Sequence, residues 1–364
     1  MKRAYFIGAG ASCADGFPLT AELLGGIIAT SLPDAFRYKR VVDFLQIVFA
    51  LPLPVLTAAA NAWETLKKEG RSAERISPPR LPDISELLSL LDILIGDESV
   101  IATTKNTELL TEPISTREMH RIRESIIRAL ARSLTDFATS ASTTARPLTA
   151  DLFAASLGPD DTVMTTNWDL LLDQALDARF GTDASSVGTD AVIVRNGAER
   201  PVLPRPPLYK LHGSLNWLYC LRCQMLFVDP TGYVGDRGFY HSARGSENTC
   251  RCGMPLRSTL ITPTYFKEYR TRHLANIWSA AQHHLAESDE WIFIGYSLPR
   301  DDVHIRALLL KAWHARRDAG GAAPHVTLVT DRVDEATLAR YAGLFAMTCV
   351  DSRGFREYVA VATP

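Results

Sequence analysis

The chain contains 364 residues, carries a formal net charge of −2 and is 46% hydrophobic. This composition predicts a globular protein with one large domain or two coupled domains, and it excludes a global basic field that would attract nucleic acid. No long apolar segment of the signal-peptide type precedes the first glycines, and polar residues and prolines interrupt the most apolar run, Val41 to Leu56. We therefore expect a cytoplasmic protein without a membrane span.

Strand-like segments lead into helix-like segments near both ends of the chain. This alternation predicts an α/β fold with a Rossmann-like parallel sheet covered by helices. The last predicted strand would place Cys349 in the core. The predicted strands are, in chain order, RAYFIGAG from residue 3, DTVMTTN from 161, EWIFIGYSL from 290, HVTLVTD from 325 and AMTCVD from 346.

Two regions interrupt this alternation within the domain of residues 1–364. Residues 30–150 have apolar patterns with helical spacing and no convincing strand, which predicts a helical insertion. Its apolar run, Val41 to Leu56, can serve either the core or an oligomer interface. Residues 205–265 are rich in Gly, Pro and Cys and contain short strand-like pieces, so they predict a small zinc-ribbon-like subdomain.

Four of the six cysteines form two close pairs, which indicates a metal site and not a disulfide framework. Cys220 and Cys223 form C-x-x-C, and Cys250 and Cys252 form C-x-C. Four thiolates suit tetrahedral Zn²⁺, and because they leave no open position the site would be structural. Two alternatives stay open: reduced thiols without a metal, and His241 as a substitute ligand.

Gly8 and Gly10 directly follow the first predicted strand. Glycine at such a point lets the chain turn tightly and lets phosphate oxygens approach main-chain N–H groups. Cys13 stands where the dinucleotide pattern G-x-G-x-x-G has its third glycine, and the lysine of a P-loop is missing. The remaining pattern indicates a phosphate-binding turn, with a purely structural turn as the alternative.

Polar residues also follow later predicted strands, at the sheet edge where ligands bind in open parallel sheets. Asn167 can hold a sugar hydroxyl or a water, and Asp169 can accept from an amide or a hydroxyl. His212 precedes a glycine, can titrate near neutral pH and can act as a general base. The simpler interpretation is a turn with a helix cap for the first two and a structural histidine for the third.

Two further strand ends carry residues of the same kind. Gly295 and Ser297 end the segment EWIFIGYSL, and Asp331 ends the segment HVTLVTD. Each alone is a weak signal. Together with the preceding strand ends they predict a nucleotide-binding crevice.

These motifs occur in an order that resembles the sirtuin-like (SIR2) superfamily. They are GAGAS with a following GFP, TTNWD, HGS, the cysteine pairs and GYSL. The forms GFPLTAEL and GYSLPRDD, and the helical insertion, are most similar to the bacterial branch whose members degrade NAD in anti-phage defence. The resemblance implies a Rossmann-type NAD-binding fold, a small zinc ribbon, and chemistry at the bond between nicotinamide and ribose.

The resemblance also implies a role for each motif residue. Asn167 would hold the ribose or the attacking water, and His212 would act as a base. Asp169 would hold the nicotinamide amide. The residues implied to lie near the phosphates, the riboses or the adenosine are Gly8, Gly10, Ser12, Gly295, Ser297 and Asp331.

Phe17 and Pro18 are followed here by Leu19 and Thr20, where deacylating sirtuins have Asp-Phe-Arg. This departure favours water over an acyl-lysine oxygen as the nucleophile, so we expect hydrolysis of NAD to nicotinamide and ADP-ribose. A protein deacylase and a non-catalytic NAD or ADP-ribose sensor remain the alternatives. Because an enzyme that depletes NAD needs restraint, we expect a homo-oligomer or a partner such as a HerA-like ATPase or an Argonaute-like protein.

Overall fold

The computed structural model describes residues 1–69, 80–97, 114–141, 147–181, 192–193, 205–228, 249–250, 252–254, 256–258, 272–332, 334–345 and 348–362. These residues form two compact units. The first unit comprises Met1–Phe17, Thr144–Ile261 and Glu268–Pro364, and the second comprises Pro18–Thr143 and Thr262–Lys267. The predicted boundaries at 30–150 and 205–265 stay predictions.

The first unit is built on a six-stranded sheet in which all paired strands are parallel. Its strand order is β10-β9-β8-β1-β2-β4. The α/β fold with a parallel sheet is therefore confirmed. The strands are β1 (Arg3–Ile7), β2 (Thr162–Thr165), β4 (Leu208–Lys210), β8 (Glu290–Ile294), β9 (His325–Val329) and β10 (Cys349–Asp351).

Helices accompany this sheet, and the central strands are apolar because both of their faces are covered. In β1, Ala4, Tyr5, Phe6 and Ile7 are all buried. The helices of the first unit are α1 (Ala9–Cys13), α7 (Thr149–Ser156), α8 (Leu171–Phe180), α9 (Arg272–Glu287), α10 (Val303–Asp318), α11 (Glu335–Ala342) and α12 (Phe355–Ala362).

Aromatic packing anchors β8 against the helices that follow it. The Phe293 ring centroid lies 5.1 Å from that of Tyr341 and 5.9 Å from that of Phe345. Trp291 lies 5.8 Å from Phe345 and 5.8 Å from Trp313, in edge-to-face geometry. These contacts make the strand and its flanking helices one rigid support for the loop that follows β8.

A second, four-stranded sheet in the same unit has the order β3-β6-β5-β7. β5 pairs antiparallel with both β6 and β7, and β3 pairs parallel with β6. Its own small core contains Leu218, Leu256 and two buried cysteines, Cys220 and Cys250. These strands are β3 (Val192–Ile193), β5 (Trp217–Tyr219), β6 (Leu226–Val228) and β7 (Arg257–Ser258).

The described part of the second unit is helical, which confirms the predicted helical insertion. α2 packs against α4 and α6. The contact is close because Gly26 has no side chain: a Cβ there would lie 2.5 Å from Cζ2 of Trp63, whose ring also packs on Phe137 at 4.9 Å. The helices are α2 (Leu23–Ser31), α3 (Ala35–Val48), α4 (Leu53–Glu69), α5 (Ile84–Gly96) and α6 (Thr116–Ala141), preceded by a 3-10 turn (Thr20–Glu22).

The prediction of a core position for Cys349 is wrong, whereas the burial of the run Val41 to Leu56 agrees with its core alternative. Cys349 lies in a strand but is exposed, because β10 forms the edge of the sheet. The run Val41 to Leu56 bends between α3 and α4, and its residues Val41, Phe44, Leu45 and Leu56 are buried. No single helix among the described residues is long and apolar enough to cross a membrane, although the bent pair Phe36–Val48 and Leu53–Lys68 passes by length and composition.

Candidate functional site

The carboxyl ends of five neighbouring strands lie in register. Ile7 pairs with both Thr165 and Ile294, Thr165 pairs with Lys210, and Ile294 pairs with Val329. Because neighbouring strands lie about 4.8 Å apart, this edge is about 19 Å long. The fold therefore brings five separate chain segments to one edge of the sheet.

Five of the predicted site residues follow these strand ends within one or two positions. Gly8, Asn167, His212, Gly295 and Asp331 succeed β1, β2, β4, β8 and β9 respectively. The chain runs outward from β1 towards β4 and from β8 towards β10, so the strand order reverses between β1 and β8. Open α/β sheets bind ligands at such a reversal point.

The glycine turn packs directly on the end of β8. Gly8 N–H donates to the Ile294 carbonyl at 2.9 Å, and Gly10 N–H donates to the Gly295 carbonyl at 2.9 Å. Gly295 has φ +60, and a Cβ there would lie 2.1 Å from the backbone nitrogen of Ala11. Backbone packing alone thus requires these glycines, so their presence is not by itself evidence for a phosphate. Gly10 lies in the five-residue helix α1 and not in an extended loop.

A hydrogen-bonded chain joins three of the predicted residues. Asn167 Nδ2 donates to the Gly8 carbonyl at 3.0 Å and to Ser12 Oγ at 2.9 Å. Ser12 Oγ donates to Asp169 Oδ2 at 2.8 Å. Since a backbone carbonyl only accepts, its contact fixes which end of the Asn167 amide faces it.

The hydrogen bonds among Asn167, Ser12 and Asp169 determine which atoms remain for a ligand. Both Nδ2 protons of Asn167 are engaged, and in the described part of the chain its Oδ1 accepts no hydrogen bond. The Ser12 proton goes to Asp169, and Ser12 is only 7% exposed. In this arrangement Ser12 positions its two neighbours, while Asn167 Oδ1 can accept from a hydroxyl or a water.

Asp169 is buried among groups that donate to it. Its Oδ1 accepts from Leu171 N–H at 3.1 Å, and Lys210 Nζ donates to its main-chain carbonyl and to Asp173 Oδ2 at 2.6 Å. Burial raises the pKa of Asp169 above its usual range, and this effect exceeds the opposing influence of Lys210, Ser12 and the Leu171 amide. Lys210 was not predicted from the sequence, although its place in the motif KLHGS was an available signal.

His212 belongs to a second cluster, with two residues from the loop after β8. Its Nε2 lies 3.6 Å from Asp302 Oδ1, which is within ion-pair range and longer than a direct hydrogen bond. Asp302 Oδ2 accepts from the Tyr296 hydroxyl at 2.7 Å. All three residues are buried. Burial and the Asp302 charge raise the pKa of Tyr296 well above its usual value, so this hydroxyl stays protonated and donates.

Two tryptophans hold the turn that carries His212. Trp168 Nε1 donates to the His212 carbonyl at 3.1 Å, and Trp278 Nε1 donates to the Leu211 carbonyl at 3.0 Å. Gly213, the next residue, has φ +77, which favours glycine. The imidazole is therefore positioned by its backbone as well as by Asp302.

Asp302 is a candidate functional residue that the sequence analysis missed. The motif GYSLPRDD contains it, but an Asp directly before a helix is ordinarily a helix cap. Asp302 does occupy the N-cap position of α10, yet its side chain makes no capping hydrogen bond. The carboxylate accepts from Tyr296 and faces His212.

The two other predicted residues are exposed. The side chain of Ser297 is exposed, and its carbonyl accepts from Arg340 Nε at 2.9 Å. Asp331 is exposed just after β9, where a Cβ on Gly354 would lie 3.1 Å from its own Cβ. Both stand at the predicted edge of the sheet. Their contact with a ligand stays a prediction.

The four paired cysteines come together in the small sheet. The Sγ atoms of Cys220, Cys223, Cys250 and Cys252 all lie within 4.8 Å of one another, and those of Cys220 and Cys252 are 3.6 Å apart. Tetrahedral Zn–S bonds place sulfurs about 3.8 Å apart, so the thiols can form a zinc site with no open position. The Met254 amide lowers the pKa of Cys252 to about 7, which favours the thiolate that a metal needs.

These features define an α/β protein of the Rossmann-like class with candidate ligand-binding residues at a sheet reversal and a separate cysteine cluster. The sequence model described as "SIR2-like domain" matches residues 161–346, which is 186 of the 364 residues. The chain belongs to this SIR2-like family.

The two solved structures described next are only distantly similar to this chain in sequence. One, described as SIR2 with the inhibitor EX-527, 2'-O-acetyl-ADP-ribose and a deacetylated p53 peptide, is 11% identical with a TM-score of 0.35, over 99% of this chain and 91% of that chain. Another, Sir2Af2 bound to a myristoylated histone peptide, is 17% identical with a TM-score of 0.31, over 65% of this chain and 79% of that chain. No curated protein matches this chain. Membership in the family supports a sirtuin-like, NAD-utilising protein.

Proposed function

We propose that this protein hydrolyses NAD⁺ at the bond between nicotinamide and ribose and releases nicotinamide and ADP-ribose. The observation that carries the proposal is the alignment of Asn167 and His212 at the ends of neighbouring strands, each in its own buried polar cluster. Family membership supports NAD as the substrate.

The chemistry needs stabilisation of positive charge on the sugar as nicotinamide departs. A preorganised polar pocket supplies this more effectively than water because its dipoles need not reorient. Asn167 Oδ1 would accept from a ribose hydroxyl or the attacking water, and Asp169 would accept from the nicotinamide amide. The chain from Asn167 through Ser12 to Asp169 holds both groups in place.

His212 would take the proton that water loses when its oxygen bonds to the ribose carbon. The imidazole then becomes an imidazolium, which the nearby Asp302 carboxylate stabilises. Tyr296 keeps that carboxylate in place through its hydroxyl. In this role Asp302 is a positioning residue, comparable in logic to the carboxylate that orients a catalytic histidine elsewhere.

The nucleophile decides between hydrolysis and deacylation. The motif after Pro18 lacks the Asp-Phe-Arg of deacylating sirtuins, and this departure supports water. We further propose that the activity depletes NAD in bacterial anti-phage defence. An unrestrained enzyme would poison its own cell, so self-association or a HerA-like or Argonaute-like partner is part of the proposal.

The test is nicotinamide release from NAD⁺ by the purified chain without any peptide, followed by liquid chromatography. We expect release by the wild type and its loss in Asn167→Ala and His212→Ala. His283→Ala is the matched control, because His283 is exposed on α9 with its side chain 70% accessible. Release that requires an acylated peptide would indicate a deacylase. ADP-ribose binding without release, with or without peptide, would contradict hydrolysis and favour a sensor.

A further inference from the structure

A basic groove lies between α10 and α11, outside the clusters that carry Asn167 and His212. Its volume is about 530 Å³. Small residues at helical spacing on α11 leave this space open. Its lining includes three arginines, Arg300, Arg306 and Arg340, and the small residues Ala336, Ala339 and Gly343.

The positive charges of these three arginines have few carboxylate partners among the described residues. Among the described residues, Arg300 and Arg306 form no ion pair with a carboxylate, and the one carboxylate near Arg340 is Asp334, at 3.8 Å. The Nε of Arg306 is buried and finds no hydrogen-bond acceptor in the part of the chain that the structure describes. A buried guanidinium N–H without a partner is costly, and a ligand that brings an acceptor oxygen removes this cost.

From these observations we propose that the groove binds a small phosphorylated molecule, such as a phosphate monoester or a nucleotide. Guanidinium groups form paired hydrogen bonds with phosphate oxygens. Three guanidinium groups around one groove therefore suit a phosphate group. The volume lies within the range of small-molecule sites. The small residues Ala336 and Ala339 offer an uncharged wall for the rest of the ligand.

The same arginines hold the loop that leads to the candidate site. Arg340 Nε donates to the Ser297 carbonyl at 2.9 Å, and Arg306 Nη2 donates to the Leu298 carbonyl at 3.0 Å. Leu298 has φ +52, a strained conformation for a residue with a side chain. This loop connects Gly295 to Asp302.

A phosphate that binds the remaining N–H groups would fix both guanidiniums while they retain their carbonyl contacts. The loop, and with it Asp302 beside His212, would then be held more firmly. Ligand binding at the groove therefore raises the rate of the proposed reaction. This regulatory consequence rests on the proposed function, whereas binding itself does not.

Binding is measured by calorimetry with AMP, inorganic pyrophosphate and, as the uncharged probe, adenosine. We expect AMP to bind, adenosine not to bind, and the AMP affinity to fall with salt. Arg300→Gln and Ala339→Leu should each weaken AMP binding about tenfold, the first by removing a charge and the second by filling the groove. Arg317→Gln, on α10 and outside the groove lining, is the control.

The outcomes separate the possibilities. Pyrophosphate binding as tight as AMP binding supports a site for the phosphate alone, and tighter AMP binding supports a site for the ester. No AMP binding, or AMP binding unchanged in both Arg300→Gln and Ala339→Leu, overturns the proposal. A preference for an acidic peptide such as poly-glutamate over AMP also overturns it. Because no readout here uses NAD turnover, failure of this site and failure of the hydrolase remain distinguishable.

Discussion

The imidazole Nε2 of His212 lies 3.6 Å from the carboxylate Oδ1 of Asp302, although the two residues are 90 positions apart in the chain. Both side chains are buried, and a tyrosine hydroxyl holds the second carboxylate oxygen. A buried histidine that gains a proton needs a compensating negative charge. Asp302 is placed to supply it.

Asp302→Asn should therefore slow nicotinamide release about tenfold to a hundredfold, because it removes the charge and keeps the shape. The loss should fall on kcat with little change in KM, since Asp302 acts through His212 and not on the substrate. Tyr296→Phe should slow the reaction less, because the carboxylate remains. Asp301→Asn is the control. Steady-state kinetics checks this, and an equal loss in Asp301→Asn would contradict the assignment.

Ser12→Ala should destabilise the fold by about 1–3 kcal/mol, because it leaves the buried Asp169 and the half-buried Asn167 without a hydrogen bond each. Asn167 loses an acceptor and Asp169 loses a donor. Denaturant unfolding measures the change. Ser156→Ala is the matched control, since among the described residues its hydroxyl bonds only the Phe153 carbonyl within α7, and its loss should cost less. If the two substitutions lower the free energy of unfolding equally, the hydrogen bonds of Ser12 to Asn167 and Asp169 stabilise the fold no more than an ordinary helix hydroxyl does.

Gly295→Ala should destabilise the protein by about 2–4 kcal/mol, from backbone strain and from a clash with the glycine turn. The clash is with the Ala11 nitrogen, 2.1 Å from the added Cβ. Gly320→Ala separates backbone strain from the clash. Gly320 has φ +77, so an alanine there is strained, but no atom lies within 4 Å of an added Cβ. That control should cost only about 1 kcal/mol. Thermal melts of both variants check the difference.

The cysteine cluster should hold one zinc ion per chain, and Cys220→Ser and Cys252→Ser should each abolish it. Removal of the metal by a chelator should lower the melting temperature, because metal binding energy contributes to folding. Cys349→Ser is the control, as Cys349 is exposed and outside the cluster. Elemental analysis measures the zinc content, and a thermal melt measures the change in melting temperature. A folded wild type without zinc would leave the thiols as a reduced, metal-free core.

Asp169→Asn should change how stability depends on pH. Burial raises the pKa of Asp169 in the fold, so the folded state binds its proton more tightly than the unfolded state does. Its contribution is then most favourable below the unfolded pKa and is lost as pH rises through the folded pKa. The stability of the wild type minus that of Asp169→Asn should therefore fall as pH rises from the unfolded pKa through the raised folded pKa. Urea unfolding at several pH values measures this, and a rising difference would contradict it.

The fold class was predictable because its signals are local. Apolar runs that lead into amphipathic segments marked the parallel sheet, and helical spacing marked the insertion. Cys220 and Cys252 were predicted as partners because closely spaced pairs carry their own geometric signature. Strand-end residues such as Asn167 and His212 could be proposed for one site because parallel strands share an edge.

Neighbouring residues encode the strands, helices, turns, cysteine pairs and polar strand ends, so these features can be predicted from the sequence. Which distant groups meet depends on how the elements pack. The tertiary structure brought Asp302 to His212, used Lys210 to anchor the turn after β2, and required Gly295 to be a glycine because another backbone lies against it. The physical reason is that sequence periodicity reports which face of an element is buried, whereas pairwise contacts depend on strand register and helix packing, which no short segment contains.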